Sequence, residues 1–295
     1  GKPARVLLLG GSVLARGDQD IHSVLQKRLR QKLGRPVQLV NVASPAHTTL
    51  DSLRKYRLLA DQPFDLVVFY HGINDVRANL CPDDVFRPDY THMLWHRQIQ
   101  RLEAHPELSF LAHPYVLHLL VATVIEQLWP PRLLPMRNPD GVVDPGGEYV
   151  SSWVGYGATI KTRPTFQRNV EAVIRLARQK GEPLLLMTFA TYQAPGYSFA
   201  RFKARNLDYA RHWVPTEVWG APAHVPVTVA AHNEVIRASA RQHRGVHFVD
   251  MATSIPHGRD HFDDICHLAP AGEKAWVEAM LGKAVGALKQ GRTSD

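Results

Sequence analysis

The sequence predicts a three-layer α/β/α domain built on a five-stranded parallel sheet. Short apolar runs alternate with amphipathic helical segments, the runs are apolar at consecutive positions, and polar residues collect just after them. A strand that is apolar on both faces must be covered on both, and right-handed crossovers place helices there. Residues 5–10 (Arg-Val-Leu-Leu-Leu-Gly) read as the first strand. Ile21, Val24, Leu25, Leu29 and Leu33 recur at helical spacing, giving a helix over 20–33 that stops at Gly34. Residues 37–42 form a second strand, 50–60 a second helix, and 65–70 a third strand between Pro63 and Gly72. Val170, Val173, Ile174 and Ala177 make 166–180 amphipathic; a strand over 183–189, a helix over 229–242 and a strand over 246–250 follow. A helix over 270–288 closes the pattern, with Trp276, Val277, Met280, Leu281, Val285 and Leu288 on one face.

Two stretches interrupt the alternation, so the expectation is a single domain over 1–295 with insertions near 82–164 and 195–226 that form a cap. Within the first, residues 115–129 are strongly apolar and precede Pro130-Pro131. A membrane span needs about 20 apolar residues, and this piece holds His118 and Glu126, so it is too short to cross a bilayer. It either packs on the domain or brings 108–135 against a membrane surface. Residues 139–147 read as a turn-rich loop. The second insertion carries Tyr197, Phe199, Phe202, Tyr209, Trp213 and Trp219, which either line a substrate groove or simply pack.

Composition narrows the partners. Of 295 residues, 35 are Lys or Arg and 27 Asp or Glu, a formal net charge of +8 that suits an anionic surface or an acidic glycan. The basic residues are dispersed, with no run of five and no zinc-finger or aromatic RNA-binding motif, so nucleic acid is not expected. Cys81 and Cys266 are the only cysteines, which excludes a disulfide scaffold and leaves both a single pairing and two reduced thiols open. The opening residues carry no signal-peptide pattern. The basic charge and the apolar insertion tilt the expected location outward, to an extracytoplasmic or membrane-associated one.

The polar residues follow the strands, where open parallel sheets place their ligand sites. After the first strand comes Gly10-Gly11-Ser12-Val13, a serine exposed on a glycine-supported turn at a helix N-terminus that favours negative charge. After the second comes Asn41-Val42-Ala43-Ser44-Pro45-Ala46-His47, and after the third Gly72-Ile73-Asn74-Asp75. Asp264-Ile265-Cys266-His267 precedes the last helix. Asn74 alone could cap a helix, and Asp263 beside Asp264 is an ordinary loop aspartate; His47 and His71 flank the site as structural residues or substrate contacts. His257 with His261, and His92 with His96, stand four apart but lack a clear third ligand, so no metal is expected. Ser12 occupies the second-glycine position of a dinucleotide-binding fingerprint, no Gly-Lys-Ser/Thr follows, and the second strand ends in Asn41 rather than an acid. No organic cofactor is expected either.

Four such blocks in this order resemble the SGNH (GDSL-like) serine hydrolase family of esterases and lipases. The resemblance covers 5–81 and 166–288, leaves out both insertions, and implies a flavodoxin-like fold. It further implies Ser12 as nucleophile, His267 as its general base and Asp264 as the group orienting the imidazole. The Ser12 N–H, the Ala46 N–H and the Asn74 side chain would form the oxyanion hole. The family usually carries glycine where Ala43 and Ala46 stand; alanine can still donate its N–H provided the turn does not need a positive φ. A serine hydroxyl needs an adjacent base, and the base a carboxylate to fix its tautomer; this chain supplies each once. The resulting expectation is hydrolysis of an acyl ester, of a small molecule, lipid or glycan, through an acyl-Ser12 intermediate. An O-acyltransferase using the same triad and a non-catalytic binding protein that retains the fold are the alternatives.

Overall fold

The computed structural model describes residues 2–15, 21–93, 95–97, 99–100 and 154–290. Five strands, β1 (Ala4–Gly10), β2 (Val37–Asn41), β3 (Leu66–Tyr70), β4 (Leu184–Met187) and β5 (Val246–Val249), form one parallel sheet in the order β2-β1-β3-β4-β5. Among the described residues, nine α-helices carry labels below. They are α1 (Ser12–Ala15), α2 (Ile21–Leu33), α3 (Thr49–Leu58), α4 (Ile73–Arg77), α5 (Arg163–Gln179), α6 (Phe199–Lys203), α7 (Val225–Gln242), α8 (Met251–Ser254) and α9 (Pro270–Gln290).

The consecutive apolar residues of β1 separate by face, as strand geometry demands. Val6 and Leu8 join Leu25 and Leu29 of α2 and Trp276, Met280 and Ala284 of α9 in one core. Leu7 and Leu9 join Leu53 and Tyr56 of α3, Phe166, Val170, Val173 and Ile174 of α5 and Ile236 of α7 in the other. Each large side chain so buried contributes about 1.5–3 kcal/mol, which is why the periodicity of α5 was readable in the sequence. The fold is the expected one, and one boundary shift has a local cause. α7 begins at Val225, four residues earlier than the periodicity indicates, because Pro226 is compatible with a first helical turn. The parallel register pairs Leu8 with Asn41 and Gly10 with Tyr70, so the segments after β1, β2 and β3 emerge side by side.

The two insertions are tied into this frame. Asn79 accepts the Lys161 N–H (2.7 Å) and donates to the Gly157 carbonyl (3.1 Å), bridging the described ends of the first. Its apolar run at 115–129, the proposed surface contact at 108–135 and the loop at 139–147 lie outside the described residues. The second insertion buries Phe202, Tyr209 and Trp219 in the core of the α2–α9 face. Among the described residues no helix is long and apolar enough to cross a membrane.

Burial governs several titrating groups. It holds His71 down to about 3 and His96 and His232 down to about 4, so all three are neutral in the folded protein and titrate near 6.5 when unfolded. Stability from a depressed histidine is present above pH 6.5 and is lost as pH falls, at about 1.4 kcal/mol per pH unit for each group. Burial pushes Asp75 up to about 7, which acts in the opposite sense, since its folded form holds a proton between about 4 and 7. Three imidazoles outweigh one carboxyl. Urea unfolding is therefore expected to give a lower unfolding free energy at pH 5 than at pH 6.5, with a shallower slope in His232→Gln.

Candidate active site

Ser12 opens α1, a single helical turn of its own, rather than preceding the helix at 21–33. Such a turn leaves its first N–H groups without intrahelical acceptors, so the Ser12 N–H points away from α1. A Cβ on Gly11 would stand 2.6 Å from Asn74 Nδ2, so only glycine lets this backbone approach the amide so closely. Asn41 braces the turn: its Nδ2 donates to the Leu14 carbonyl (2.8 Å) and its Oδ1 accepts the Ala43 N–H (3.0 Å).

His267 meets Ser12 across 255 residues of sequence, with Oγ 2.9 Å from Nε2. Its Nδ1 lies 2.7 Å from Asp264 Oδ2. The carboxylate is engaged on both oxygens. Oδ1 accepts the N–H groups of Cys266 and His267 (both 2.9 Å), and Oδ2 also accepts the Val214 N–H (3.0 Å). A carboxylate ringed by donors can only accept, so the shared proton sits on His267 Nδ1 and the Nε2 lone pair faces the Ser12 hydroxyl. The loop is closed by the Asp263 N–H donating to the His267 carbonyl (2.9 Å) and by a bridge between Phe262 and Leu268.

Asn74 lies inside α4, whose N-cap position is Gly72, so it does not serve as a cap. Its Nδ2 donates to the His47 carbonyl (3.0 Å), and its Oδ1 accepts the Trp219 indole N–H (3.2 Å). An indole only donates and a carbonyl only accepts, so these two partners fix which way the amide faces. Ala46 sits exposed in the turn closed by the His47 N–H on the Ser44 carbonyl (3.3 Å), with φ at +63°. The turn therefore does need a positive φ, and alanine pays steric strain where glycine would not. Neither the Trp219 indole nor the Val214 N–H was legible in the sequence. Trp219 was one of six aromatics in an insertion, and a backbone N–H leaves no signal at all.

The neighbouring groups have other employment. His71 is buried and bonded to Ser52 Oγ (2.7 Å). Burial lowers the pKa of His47, whose ring centroid lies 6.1 Å from that of Trp95. Asp263 points elsewhere, 3.6 Å from Arg211, and burial raises its pKa. Both cysteines are free and buried. Burial pushes the Cys266 thiol well up, so it stays protonated although Sγ stands 3.6 Å from His267 Nδ1. His92 and His96 both spend their two ring nitrogens on protein partners, namely Ala78, Arg87, Thr48 and Arg54. The His257 ring packs against Tyr192 and Phe262. A cleft of about 350 Å³ at the amino ends of β4 and β5, lined by Arg178, Glu182, Arg244 and His247, lies at the sheet edge opposite Ser12. Replacing Ala46 with glycine removes the left-handed strain, and chemical denaturation is expected to show Ala46→Gly more stable by up to about 1 kcal/mol.

No curated protein sequence matches the chain closely enough to be counted as a relative. Among solved structures, an acetyl xylan esterase from Geobacillus stearothermophilus superposes with a TM-score of 0.51 at 13% identity, covering 97% of this chain and 96% of that one. The lipase Lip_vut3 from a goat rumen metagenome gives 0.51 at 11% identity, covering 97% and 99%. Identities this low speak for the fold alone. The sequence itself matches a family from residue 8, within β1, to residue 275, within α9, thereby enclosing Ser12, Asn74, Asp264 and His267. On that match the chain belongs to the GDSL-like Lipase/Acylhydrolase family and is a hydrolase acting on esters.

Proposed function

We propose that the chain cleaves carboxylic esters by covalent catalysis through Ser12. The observation that carries this reading is the unbroken hydrogen-bonded chain Ser12 Oγ–His267–Asp264, assembled from opposite ends of the sequence. Ser12 Oγ attacks the ester carbonyl carbon while its proton passes to His267 Nε2, and Asp264 stabilises the imidazolium so formed. The carbonyl oxygen gains the negative charge, and the Ser12 N–H, the Asn74 amide and the Ala46 N–H are its donors. Collapse of the tetrahedral intermediate breaks the bond to the alcohol, which leaves with the proton from Nε2. Water then enters, gives its proton to the same nitrogen and releases the acid, restoring Ser12. Cys266 does not compete as a nucleophile, because burial keeps it a thiol.

Intact-mass analysis after treatment with a fluorophosphonate is expected to show one adduct on Ser12 and none on Ser12→Ala. Absence of an adduct on the folded wild type would defeat this reading. Ser12→Ala and His267→Ala are each expected to lower kcat by about 10⁴-fold or more, and the double variant by little beyond that, since the groups act as a unit. Asn74→Ala is expected to cost on the order of 10²–10³ in kcat. Trp219→Phe keeps the bulk but frees the amide to turn, and is expected to lower kcat about tenfold with KM nearly unchanged. In an Asn74→Ala background the same change should cost almost nothing, a coupling that a merely structural tryptophan would not show.

A further inference from the structure

The basic residues are dispersed along the sequence, but folding gathers many of them at one end of the sheet. In a parallel sheet each crossover helix returns its C-terminal end to the start of the next strand, so α2, α3, α5 and α7 all end on the face opposite Ser12. The end of α9 joins them, since Ala287 and Gln290 line the cleft at the amino ends of β4 and β5. Residues 2–5, 30–36, 57–65, 175–183, 241–247 and 283–290 build this face, and they hold thirteen Lys and Arg against three acids. That surplus exceeds the +8 of the whole chain, so the rest of the protein is slightly acidic. Five helix C-termini, at about half a negative charge each, offset only a part of it.

Two of the three acids are already engaged. Asp65 Oδ2 accepts the Arg5 N–H (2.7 Å). Glu182 accepts the Phe64 N–H (2.9 Å) and the Tyr56 hydroxyl, and pairs with Lys180 (3.0 Å). Lys180 also donates to the Leu59 and Gln62 carbonyls, which joins the ends of α3 and α5. Beside that joint stands Leu58, the last residue of α3, 85% exposed. The cleft of about 350 Å³ opens on the same face, with exposed Arg178 and Arg244 in its lining and the Arg178 guanidinium donating to the Arg244 carbonyl (3.3 Å). His247 lines it as well, its pKa lowered by burial and then by the charge of Lys283.

We infer that this face docks on an anionic lipid bilayer, with the cleft between Arg178 and Arg244 receiving a phospholipid headgroup. Charge complementarity carries the inference, because almost every cation of the face is matched by no local acid. The exposed leucine selects lipid among anionic partners: an apolar side chain amid cations suits the headgroup boundary. A single-stranded nucleic acid would need aromatic platforms, and the one aromatic ring in these segments, Phe64, is buried. Docking leaves the chemistry free, since β1 holds Ser12 about 20 Å from the bound face, toward water.

The test is cosedimentation with vesicles of phosphatidylcholine alone, or with about 30% phosphatidylglycerol, at about 0.1 M NaCl. Binding to the anionic vesicles is expected to be at least about tenfold stronger and to fall as salt rises. Each cation near the surface is worth about fivefold, so Arg178→Glu with Arg244→Glu should lose about tenfold or more. Lys203→Glu with Arg259→Glu makes the same change in net charge at exposed positions off this face, and should stay within about threefold of wild type. Arg178→Gln with Arg244→Gln should lose about half as much on a logarithmic scale, which keeps the test decisive if the reversed pair misfolds. Leu58→Ser should weaken vesicle binding about threefold or more and leave binding to duplex DNA unchanged. Absence of a preference for anionic vesicles would overturn the inference, as would equal losses from the two reversed pairs. A Leu58→Ser variant that binds vesicles like wild type would overturn the lipid, leaving a face for some other polyanion.

Discussion

The carboxylate of Asp264 is the joint on which the site depends. It is fully buried, and a buried charge is tolerable only when its lone pairs are filled. Four N–H groups fill them: two from its own loop, one from the insertion at Val214 and one from His267. The same bonds that make the charge tolerable also orient the imidazole of His267 and anchor the second insertion at Val214. Electrostatic satisfaction, orientation of the ring and the course of the insertion are therefore one arrangement, and disturbing any part of it exposes the others.

The sheet supplies the second constraint. In the order β2-β1-β3-β4-β5 the chain leaves β1 toward one face, with α2, and β2 toward the other, with α3. Open parallel sheets place their ligand crevice at such a reversal, outside the carboxyl ends of the strands. Gly10 is paired with Tyr70, so Ser12 and Asn74 reach the crevice from neighbouring strands. The turn after β2 supplies the His47 carbonyl that holds the Asn74 amide. The glycine at position 11 is then a packing requirement, because any side chain there would meet that amide. Ala46 shows the reverse case, a strained residue kept exposed at the edge of the site.

The insertion at 195–226 belongs to this construction. Tyr197 donates to Glu217 Oε2 (2.7 Å) and accepts the Thr216 N–H (2.9 Å), fixing the turn that delivers Trp219 to Asn74. One tryptophan of the stretch is thereby buried against the amide, at 4% exposure, and the other is left open against the base.

The sequence by itself determined the sheet and its flanking helices, and it marked the five residues read from its motifs as candidates, because each leaves a local mark. Consecutive apolar residues report strands covered on both faces, 3.6-residue spacing reports helices, and serine, asparagine, aspartate and histidine at strand ends or before the last helix report chemistry. Ala46 was also visible, as an alanine in a glycine's place, but its φ of +63° was not. Tertiary structure alone decided that Asn74 is held by Trp219, that Val214 completes the shell of Asp264, and that Trp213 stands open over His267. These contacts join residues 50 to 145 positions apart through backbone groups or aromatic rings whose types carry no role in themselves. A backbone N–H is the same at every non-proline position, and an aromatic ring in an insertion reads equally well as core or as platform. Only the path of the chain in space tells them apart.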